Sequence, residues 1–322
     1  MTLLRGVTGA LALLAVGLAL PGALDAFWLS AATATVIYAV VAAGTGVLYG
    51  RLGFVSLYQV ALLGVGGWVT LRLGHGTSLP FLVVLLVAGA VTALIGALVG
   101  LPALRFGGLH LALITLMTAG AAEVVFTTIG FPNGGDGFKG VVTATQSPSP
   151  LRRPALGSGD VAFFRYALVV AALVFVVYWL HLRARPGRAW ATIRAGEAPA
   201  RASGIDVLRH KLWALTLTGF GTGVAGALLA ASIGSLQATS FTAAQSVILF
   251  AVVLVGGAYS LTGAAIAGVF AQLLPSLLDR LSVNGDLLVL LFGIGLVATL
   301  TVAPHGVAGQ LSGLTRRVVR AS

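Results

Sequence analysis

The 322-residue chain has no cysteine and very little charge. Charged residues make up 8% of it, whereas an average soluble domain carries roughly 25%. So few charges cannot cover a water-facing surface of this size. The missing cysteines exclude disulfides, thiol catalysis and cysteine-ligated metal sites. Hydrophobic residues reach 58% and the mean hydropathy is +1.03. The composition therefore predicts a membrane protein, and excludes a soluble enzyme, a nucleic-acid-binding protein and a disordered chain.

The residues needed for ATP hydrolysis are also missing. A phosphate-binding P-loop ends in Gly-Lys-Ser/Thr, but the only lysines, Lys139 and Lys211, are followed by Gly and Leu. The five histidines are scattered without metal-ligand spacing, and no Gly-x-Ser-x-Gly nucleophile motif occurs. The sequence predicts no catalytic residue, no ATPase site and no metal or cofactor site on this chain.

One glycine motif imitates a nucleotide-binding site. Gly221, Gly223 and Gly226 match the dinucleotide pattern G-x-G-x-x-G. That pattern must follow a strand and open a helix, whereas these glycines lie inside an apolar run. Close helix packing is the better interpretation, because small residues spaced along a membrane helix let two backbones approach.

Long apolar runs predict the fold. A helix needs roughly 20 apolar residues to cross a bilayer, and the chain offers about ten such runs. We expect a single all-α, multi-pass membrane domain over residues 1–322, with some helices discontinuous or re-entrant. The short eighth run ends at Gly256 and Gly257 and could be a half-helix or part of a re-entrant pair. The predicted spans are Leu3–Pro21 (a retained anchor rather than a cleaved signal), Leu29–Leu48, Phe54–Leu71, Leu79–Leu101, Leu109–Ile129, Val161–Leu182, Leu212–Ile233, Ala243–Ala258, Leu261–Leu278 and Leu287–Val302.

The distribution of basic residues predicts the orientation. With the N-terminus in the cytoplasm and alternating spans, thirteen of the 19 Lys and Arg residues fall inside, in agreement with the positive-inside rule. Four spans then separate the basic loop 183–211 from the tail 304–322. We expect both of these segments, and both termini, to be cytoplasmic, with the loop 130–160 external.

Glu123 is the one acid well inside a predicted span. A charge at the bilayer centre costs on the order of 2.5–3.5 kcal/mol on insertion scales. Two interpretations stay open: a helix-packing acid bonded to neighbours such as Thr127, or a residue of the substrate pathway. A carrier driven by protons or sodium needs more such acids, so their scarcity favours an external source of energy.

The third span begins with an unusual mixture of glycine and polar residues. Gly-rich, polar-interrupted membrane segments are where helices break and bind substrate near the midplane. Tight packing, with Ser56 bonding back to its own helix, is the alternative. A threonine-bearing helix follows the next basic turn. We predict a substrate pathway formed by Ser56, Gln59, Gly64, Gly66, Thr115, Thr118 and Glu123.

The basic loop contains a short helix-forming stretch, Glu197–Gly204. Its small residues allow another protein to pack closely against it, and Gly204 is a natural helix stop. A solvated basic turn is the alternative.

An ordered set of motifs resembles a known family. The set comprises Gly50…Ser56-Leu57…Gly64-Val65-Gly66, Gly108-Leu-His-Leu-Ala-Leu-Ile-Thr-Leu116, Asn133-Gly-Gly-Asp-Gly137, Gly187-Arg188-Ala189…Ile193-Arg194…Glu197…Gly204-Ile205, Ala225-Gly-Ala-Leu228, Val253-Leu-Val-Gly-Gly257…Leu261-Thr-Gly-Ala264 and Ala303-Pro-His-Gly306. In this order, from about Leu29 to Leu311, it resembles the branched-chain amino-acid permeases of ATP-binding-cassette importers, and the second of their two paired types.

The resemblance implies a multi-subunit transporter in the plasma or inner membrane. Two permeases, here non-identical, pair around a pathway, two cytoplasmic ATPases carry ATP and Mg²⁺, and an external solute-binding protein delivers substrate. The stretch from Glu197 to Gly204 matches the family's coupling helix, which docks into an ATPase groove. The residues implied in ATPase coupling are Arg188, Arg194, Glu197, Arg201 and Gly204.

The sequence departs from the family at a few positions. Tyr58-Gln59 stands where members usually have Gly before the polar residue, Leu62 stands where they have Phe, and Arg201 stands where they often have an acid. The expected substrate is a branched-chain or other hydrophobic amino acid. Urea, short amides or a sugar carried by a related importer remain an alternative, as does a standalone ion-coupled carrier.

Overall fold

The computed structural model describes residues 24–129 apart from 105 and 107, and residues 151–281 apart from 152, 155 and 156. It also describes 285–302, 306–310 and the isolated residues 17 and 22. The predicted first span, most of the loop 130–160 and most of the tail 304–322 lie outside this part. Within it every regular element is helical.

Twelve α-helices occur in the described part of the chain. A π-helical turn, Leu48–Leu52, extends α1, and another, Val269–Leu273, joins α10 to α11. A 3₁₀ turn, Ala238–Ser240, lies just before α9. The helices are α1 Ala26–Val47, α2 Gln59–Gly76, α3 Phe81–Ala103, α4 Gly108–Ile129, α5 Asp160–Arg183, α6 Arg185–Ala195, α7 Glu197–Ala202, α8 Val207–Ile233, α9 Ala243–Gly256, α10 Leu261–Gly268, α11 Leu274–Arg280 and α12 Gly285–Val302.

Seven helical segments of the described chain are long and apolar enough to cross a membrane. These segments confirm the prediction of an all-helical, multi-pass membrane protein. The count of ten spans and the orientation of the termini stay predictions. The seven segments are Ala26–Leu52, Phe81–Ala103, Gly108–Thr128, Asp160–Arg183, Val207–Ile233, Ala238–Gly256 and Leu261–Arg280.

Contacts between helix termini show which ends of the bundle lie together. Trp28, at the start of α1, lies under the guanidinium of Arg280 at the end of α11, 5.4 Å from its ring centroid. Phe81, at the start of α3, packs edge-on against Tyr166 near the start of α5, at 5.9 Å between ring centroids. We call the end of the bundle with these contacts the opposite end, because it lies across the bundle from the short helices α6 and α7.

The other end carries the short helices α6 and α7. Arg194 of α6 stacks on Tyr259 and donates a hydrogen bond to the backbone carbonyl of Tyr49. Lys211, in the first turns of α8, forms an ion pair with Glu197 of α7. We call this the basic end, because it holds Arg51, Arg183, Arg185, Arg188, Arg194, Arg201, Arg209 and Lys211.

Helix α9 and the preceding 3₁₀ turn run from one end to the other. Ala243 lies against α4 near the opposite end, and Ala258, just after α9, lies against Gly50 at the basic end. With the 3₁₀ turn, the segment reaches 19 residues. The chain turns after Gly256, with Gly257 at φ +115°. The interpretation of the eighth run as a half-helix or as part of a re-entrant pair stays a prediction.

A glycine seam joins α2 to α8 at the centre of the bundle. A Cβ added at Gly66 would lie 2.5 Å from the carbonyl oxygen of Gly223, and one at Gly226 would lie 2.3 Å from that of Leu63. These are backbone contacts, so no side-chain movement can relieve them. The interpretation of Gly223 and Gly226 as helix-packing residues is confirmed, and α8 is accordingly the most deeply buried span candidate.

The helix break predicted at the start of the third span is present, but its position differs. Residues 53–58 are non-helical, and α2 begins at Gln59 rather than at Phe54. Gly53 ends the π-helical turn with φ +76°, a conformation that only glycine adopts freely. Helix α8 also differs from its predicted span, because it starts at Val207, five residues before the predicted Leu212. Asp206 caps this start by accepting a hydrogen bond from the backbone N–H of Arg209.

The side chain of Tyr178 in α5 packs into the space left by two glycines, Gly44 of α1 and Gly221 of α8. Its side chain is 1% exposed, and a Cβ at Gly221 would lie 2.1 Å from its hydroxyl oxygen, with Gly44 on the other side. Among the described residues the hydroxyl has no hydrogen-bond partner. A buried polar group without a partner costs roughly 1–3 kcal/mol.

Replacing Tyr178 with Phe is therefore expected to leave the melting temperature of the purified chain unchanged or raise it by a few degrees. Tyr58→Phe is the matched control, because Tyr58 is equally buried but donates a 3.3 Å hydrogen bond to the Gly96 carbonyl. Its melting temperature should fall. The opposite order of the two variants would show that the Tyr178 hydroxyl has a partner after all.

Candidate functional site

Three predicted pathway residues gather around the non-helical segment 53–58. The backbone N–H of Leu57 donates a 3.0 Å hydrogen bond to the Thr115 hydroxyl of α4, which itself donates to the Ala112 carbonyl at 2.9 Å. Thr115 thus satisfies a backbone donor that no helix satisfies, as buried backbone requires. Ser56 lies one residue before this contact and Gln59 begins α2.

Ser56 and Gln59 are almost completely buried, at 2% exposure each. The Gln59 side-chain oxygen accepts a 2.8 Å hydrogen bond from the Thr222 hydroxyl of α8. Within the described chain, the Gln59 amide nitrogen and the Ser56 hydroxyl have no partner. Two buried polar groups therefore lie unpaired at a helix break in the middle of the apolar bundle.

Gly64 and Glu123 lie further toward the opposite end. Gly64 faces Phe126 and Phe241, whose rings meet edge-on at 6.2 Å between centroids. The Glu123 carboxylate accepts a 3.0 Å hydrogen bond from the backbone N–H of Ala243, the first residue of α9. An acid at a helix N-terminus interacts favourably with the helix dipole. Glu123 and the ring pair together connect the half of α4 that lies nearer the opposite end to the start of α9.

The remaining pathway predictions lie apart from the break. Gly66 packs against Gly223 in the seam between α2 and α8. The Thr118 hydroxyl donates to the Ile114 carbonyl at 2.9 Å, within its own helix. Thr127 bonds to the backbone carbonyl of Glu123 and not to its carboxylate. The structure thus brings Ser56, Gln59 and Thr115 together and separates Gly66 and Thr118 from them.

At the basic end, α6 is fixed by a buried tryptophan. Trp190 is fully buried, and its indole N–H donates a 2.9 Å hydrogen bond to the His210 carbonyl in α8. The turn from α5 to α6 needs Gly187, because a Cβ there would lie 2.2 Å from the Leu182 carbonyl oxygen. The loop 183–211 is therefore a packed pair of helices rather than a solvated turn.

Glu197 is the centre of an ion-pair network that fixes α7. Its carboxylate pairs with Lys211 of α8, whose side chain is 8% exposed, and with Arg201 at 2.8 Å within α7. The hydrogen bond from Lys211 holds the pKa of the Glu197 carboxyl below its usual value. A lowered carboxyl pKa means that this contact is present at neutral pH and is lost only as the pH falls into the acid range.

The end of α7 has the geometry of a Schellman cap. Gly204 has φ +77°, and its N–H donates to the Arg201 carbonyl at 3.0 Å. The next N–H, of Ile205, donates to the Ala200 carbonyl at 3.0 Å. This is the pattern in which a left-handed glycine ends a helix. The prediction that Gly204 stops this helix is confirmed, and α7 is a rigid six-residue helix with an exposed outer face.

Arg194 connects α6 to the helix break. Its guanidinium donates to the carbonyls of Tyr49 and Gly50 in the π-helical turn and reaches the Tyr259 hydroxyl at 3.3 Å. Its Cζ lies 4.8 Å from the Tyr259 ring centroid, and its aliphatic stem packs on Gly53, the first residue of the break. A cation at carbonyls that end a helix is electrostatically favourable.

Several residues of this arrangement were not predicted from the sequence. Lys211, Trp190, Tyr49 and Tyr259 were not among the predicted coupling residues. Arg188, which was among them, is exposed and lies beside the end of α5, with its Nη1 3.5 Å from the Arg183 carbonyl oxygen.

The two ends of the bundle differ strongly in charge. Among the described side chains, the basic end has eight cations and only two acids, Glu197 and Asp206. The opposite end has four of each. These are the cations Arg72, Arg153, Arg165 and Arg280 and the acids Asp25, Glu123, Asp160 and Asp279. An apolar helical bundle with one strongly basic end is characteristic of a multi-pass membrane protein.

Comparison with known proteins identifies the family. Residues 27–300 match the family described as "Branched-chain amino acid transport system / permease component". The chain belongs to this permease family.

Two curated relatives carry the same printed name. The chain is 30% identical, over 268 residues, to the "High-affinity branched-chain amino acid transport system permease protein LivM" of Salmonella typhimurium. It is 30% identical, over 267 residues, to the protein of that name from Escherichia coli. The matches cover 77% and 76% of this chain but 62% of each relative. No solved structure gives a significant match.

Proposed function

We propose that this chain is the membrane-spanning subunit of an ATP-binding-cassette importer for branched-chain or other hydrophobic amino acids. In this proposal it pairs with a second, non-identical permease in the cell membrane and receives substrate from an external binding protein. Two ATPase subunits, which carry the ATP and Mg²⁺, bind at the basic end. The family membership and the printed names of both relatives support the proposal.

The observation that carries the proposal is the construction of α7. This short helix has an exposed outer face. Its Glu197 pairs with the buried Lys211 of α8, and its own Ala200 is fully buried against the rest of the protein. Its end is fixed by the Gly204 cap. A rigid helix of small residues can transmit movement from a protein that grips it, whereas a solvated loop would absorb that movement. We assign α7 as the coupling helix.

The charge difference between the two ends supports the orientation. Basic residues next to membrane helices are retained on the cytoplasmic side. In this proposal the basic end therefore faces the cytoplasm, on the same side as the ATPases. Arg188, Arg194, Glu197, Arg201 and Gly204 all lie at this end.

The substrate pathway is assigned to the break at residues 53–58. The Ser56 hydroxyl and the Gln59 amide nitrogen, both buried and unpaired, would gain partners from a substrate or from the other conformation of an alternating-access cycle. Arg194 links α6 to the start of this break, which gives ATP-driven movement a route to it.

Reconstitution in liposomes tests the proposal. The chain together with its partner permease, the ATPase and a substrate-loaded binding protein should accumulate leucine only when ATP is supplied on the ATPase side. The same set loaded with urea or a sugar separates the alternative substrates. Accumulation by the chain alone under a proton or sodium gradient would contradict the proposal and establish an ion-coupled carrier.

Replacing Arg194 with Lys is expected to uncouple hydrolysis from transport. Lysine keeps the charge but loses the planar fork that reaches Tyr49, Gly50 and Tyr259 together. Leucine transported per ATP hydrolysed should fall roughly fivefold to tenfold, as losing about 1–1.4 kcal/mol of coupling implies. Arg209→Lys, on an exposed arginine paired with Asp206, is the control. An unchanged ratio in Arg194→Lys would show that the Arg194 contact does not transmit the movement.

A further inference from the structure

Three arginines of the basic end lie at the junction of α5 and α6. Arg183, Arg185 and Arg188 are all exposed, and we call them the arginine cluster. The four ion pairs found among the described residues involve none of them. By contrast, Arg201 and Arg209 each pair with an acid. The cluster is therefore a concentration of positive charge that the described part of the protein does not neutralise.

Aromatic side chains lie next to the arginine cluster. The Arg183 guanidinium lies over the Trp179 ring, 4.2 Å from its centroid. Two residues after Trp179, the His181 ring lies tilted against Trp213 of α8, at 5.8 Å between ring centroids, and Trp213 is 47% exposed. Tryptophan is enriched where the hydrocarbon of a membrane meets its headgroups. The aromatic residues thus place the arginine cluster at headgroup depth.

The surface continues toward the membrane centre as an exposed apolar strip. Leu173, Val176, Val177 and Leu180 of α5 are 41–60% exposed and follow the helical repeat. Such a strip on a span candidate faces acyl chains. The surface therefore has a cationic part at headgroup depth and an apolar part next to it on the side of the membrane centre. A phospholipid has the same order of groups, with its phosphate at headgroup depth and its acyl chains toward the membrane centre.

We propose that the arginine cluster binds the phosphate of an anionic phospholipid headgroup, whose acyl chains lie along α5 and against Trp213. Charge complementarity favours an anionic over a zwitterionic lipid, and the continuous apolar strip favours a lipid over a soluble phosphate. Basic pockets next to membrane helices are recognised sites for anionic headgroups. The lipid would brace the α5–α6 turn from outside, next to Gly187, where that turn is tightest.

Native mass spectrometry of the purified full chain tests this proposal with phosphatidylglycerol and phosphatidylcholine as probes. The double variant Arg183→Gln with Arg185→Gln should bind phosphatidylglycerol roughly tenfold or more weakly, since each arginine near an anionic surface contributes about 1 kcal/mol. Phosphatidylcholine binding should not change. Arg188 is left intact because it is also one of the residues that the family resemblance implies in ATPase coupling.

Matched variants make the outcome specific. Arg72→Gln with Arg280→Gln removes two arginines that also lie over aromatic rings, but at the opposite end, and should leave phosphatidylglycerol binding unchanged. Arg183→Lys with Arg185→Lys keeps the charge and should retain most of the binding. Equal losses in the two glutamine variants, or no loss in either, would overturn the proposal.

Two further outcomes would assign the cluster to another ligand. Displacement of phosphatidylglycerol by soluble glycerol phosphate would indicate a site for free phosphate and overturn the lipid assignment. Weaker ATPase binding by the Arg183 and Arg185 glutamine variant in pure phosphatidylcholine nanodiscs, with lipid binding unchanged, would identify a protein-docking surface instead. Neither result depends on uptake, so the importer proposal and this one can fail separately.

Discussion

Replacing Glu197 with Lys is expected to reduce ATP-driven uptake by roughly tenfold or more while the chain still folds and inserts. The change places a lysine directly against Lys211, which is almost fully buried and would lose its carboxylate partner. Helix α7 would then be pushed away from α8 instead of being held against it. Uptake in proteoliposomes measures the effect, and size-exclusion chromatography checks the fold.

A charge swap separates the role of the pair from the role of the acid itself. The double variant Glu197→Lys with Lys211→Glu restores an ion pair between α7 and α8 and should recover a large part of the uptake. If Glu197→Lys alone transports like the wild type, the assignment of α7 as the coupling helix is wrong.

The cap of α7 provides an independent perturbation of the same helix. Gly204→Pro removes the N–H that bonds to the Arg201 carbonyl and cannot adopt φ +77°. Gly204→Asn is the matched control, because asparagine tolerates the left-handed conformation. We expect uptake to be lost in the proline variant and largely kept in the asparagine variant. Equal uptake in both variants would show that ATP-driven uptake does not depend on the conformation of this cap.

Replacing Gly226 with Ala is expected to prevent the chain from folding stably. The added Cβ would lie 2.3 Å from the Leu63 carbonyl oxygen and 2.7 Å from the Gly67 backbone nitrogen. Overpacking a well-packed interior commonly costs about 1–3 kcal/mol, and occasionally more. Here both obstructing groups are backbone atoms of α2, so relief requires the two helices to separate. Thermal unfolding of the detergent-purified chain should show a large loss of stability or no folded protein.

Gly120→Ala is the matched control for this prediction. Gly120 lies in α4, a candidate span like α8, but an added Cβ there meets nothing within 4 Å. Because alanine is the better helix former, this variant should be at least as stable as the wild type. Equal melting temperatures for Gly226→Ala and Gly120→Ala would mean that the seam between α2 and α8 is looser than described.

Features set by local sequence were predictable. Gly204 ends α7 because a left-handed residue is needed there, and glycine after a short helical stretch is a local signal. The seam glycines Gly223 and Gly226 were interpreted correctly as helix-packing residues, because an apolar context excludes the strand that a nucleotide-binding motif needs. The helix break was also predictable from its mixture of glycine and polar residues, although its end at Gln59 was not.

Features set by distant contacts were not predictable. The non-helical segment is stabilised by Thr115, 58 residues from the backbone N–H of Leu57 that it satisfies. Glu123 bonds to the start of a helix 120 residues away. Arg194 reaches a carbonyl 145 residues earlier in the chain. No local pattern encodes these partners, because each depends on how whole helices pack, and the alternatives for Glu123 could not be narrowed before that packing was known.

Chemical cross-linking of α7 to the ATPase tests the central claim most directly. Because the chain has no cysteine, single cysteines can be introduced without removing others. Ser203→Cys places a thiol at the exposed end of α7, and Ser158→Cys places a matched one at the opposite end of the bundle. In assembled importers, a thiol-specific cross-linker should join the ATPase to the cysteine at position 203 and not to that at 158, with a yield that changes upon ATP binding. Cross-linking from position 158, or labelling of position 203 by a membrane-impermeant reagent outside intact cells, would contradict the account.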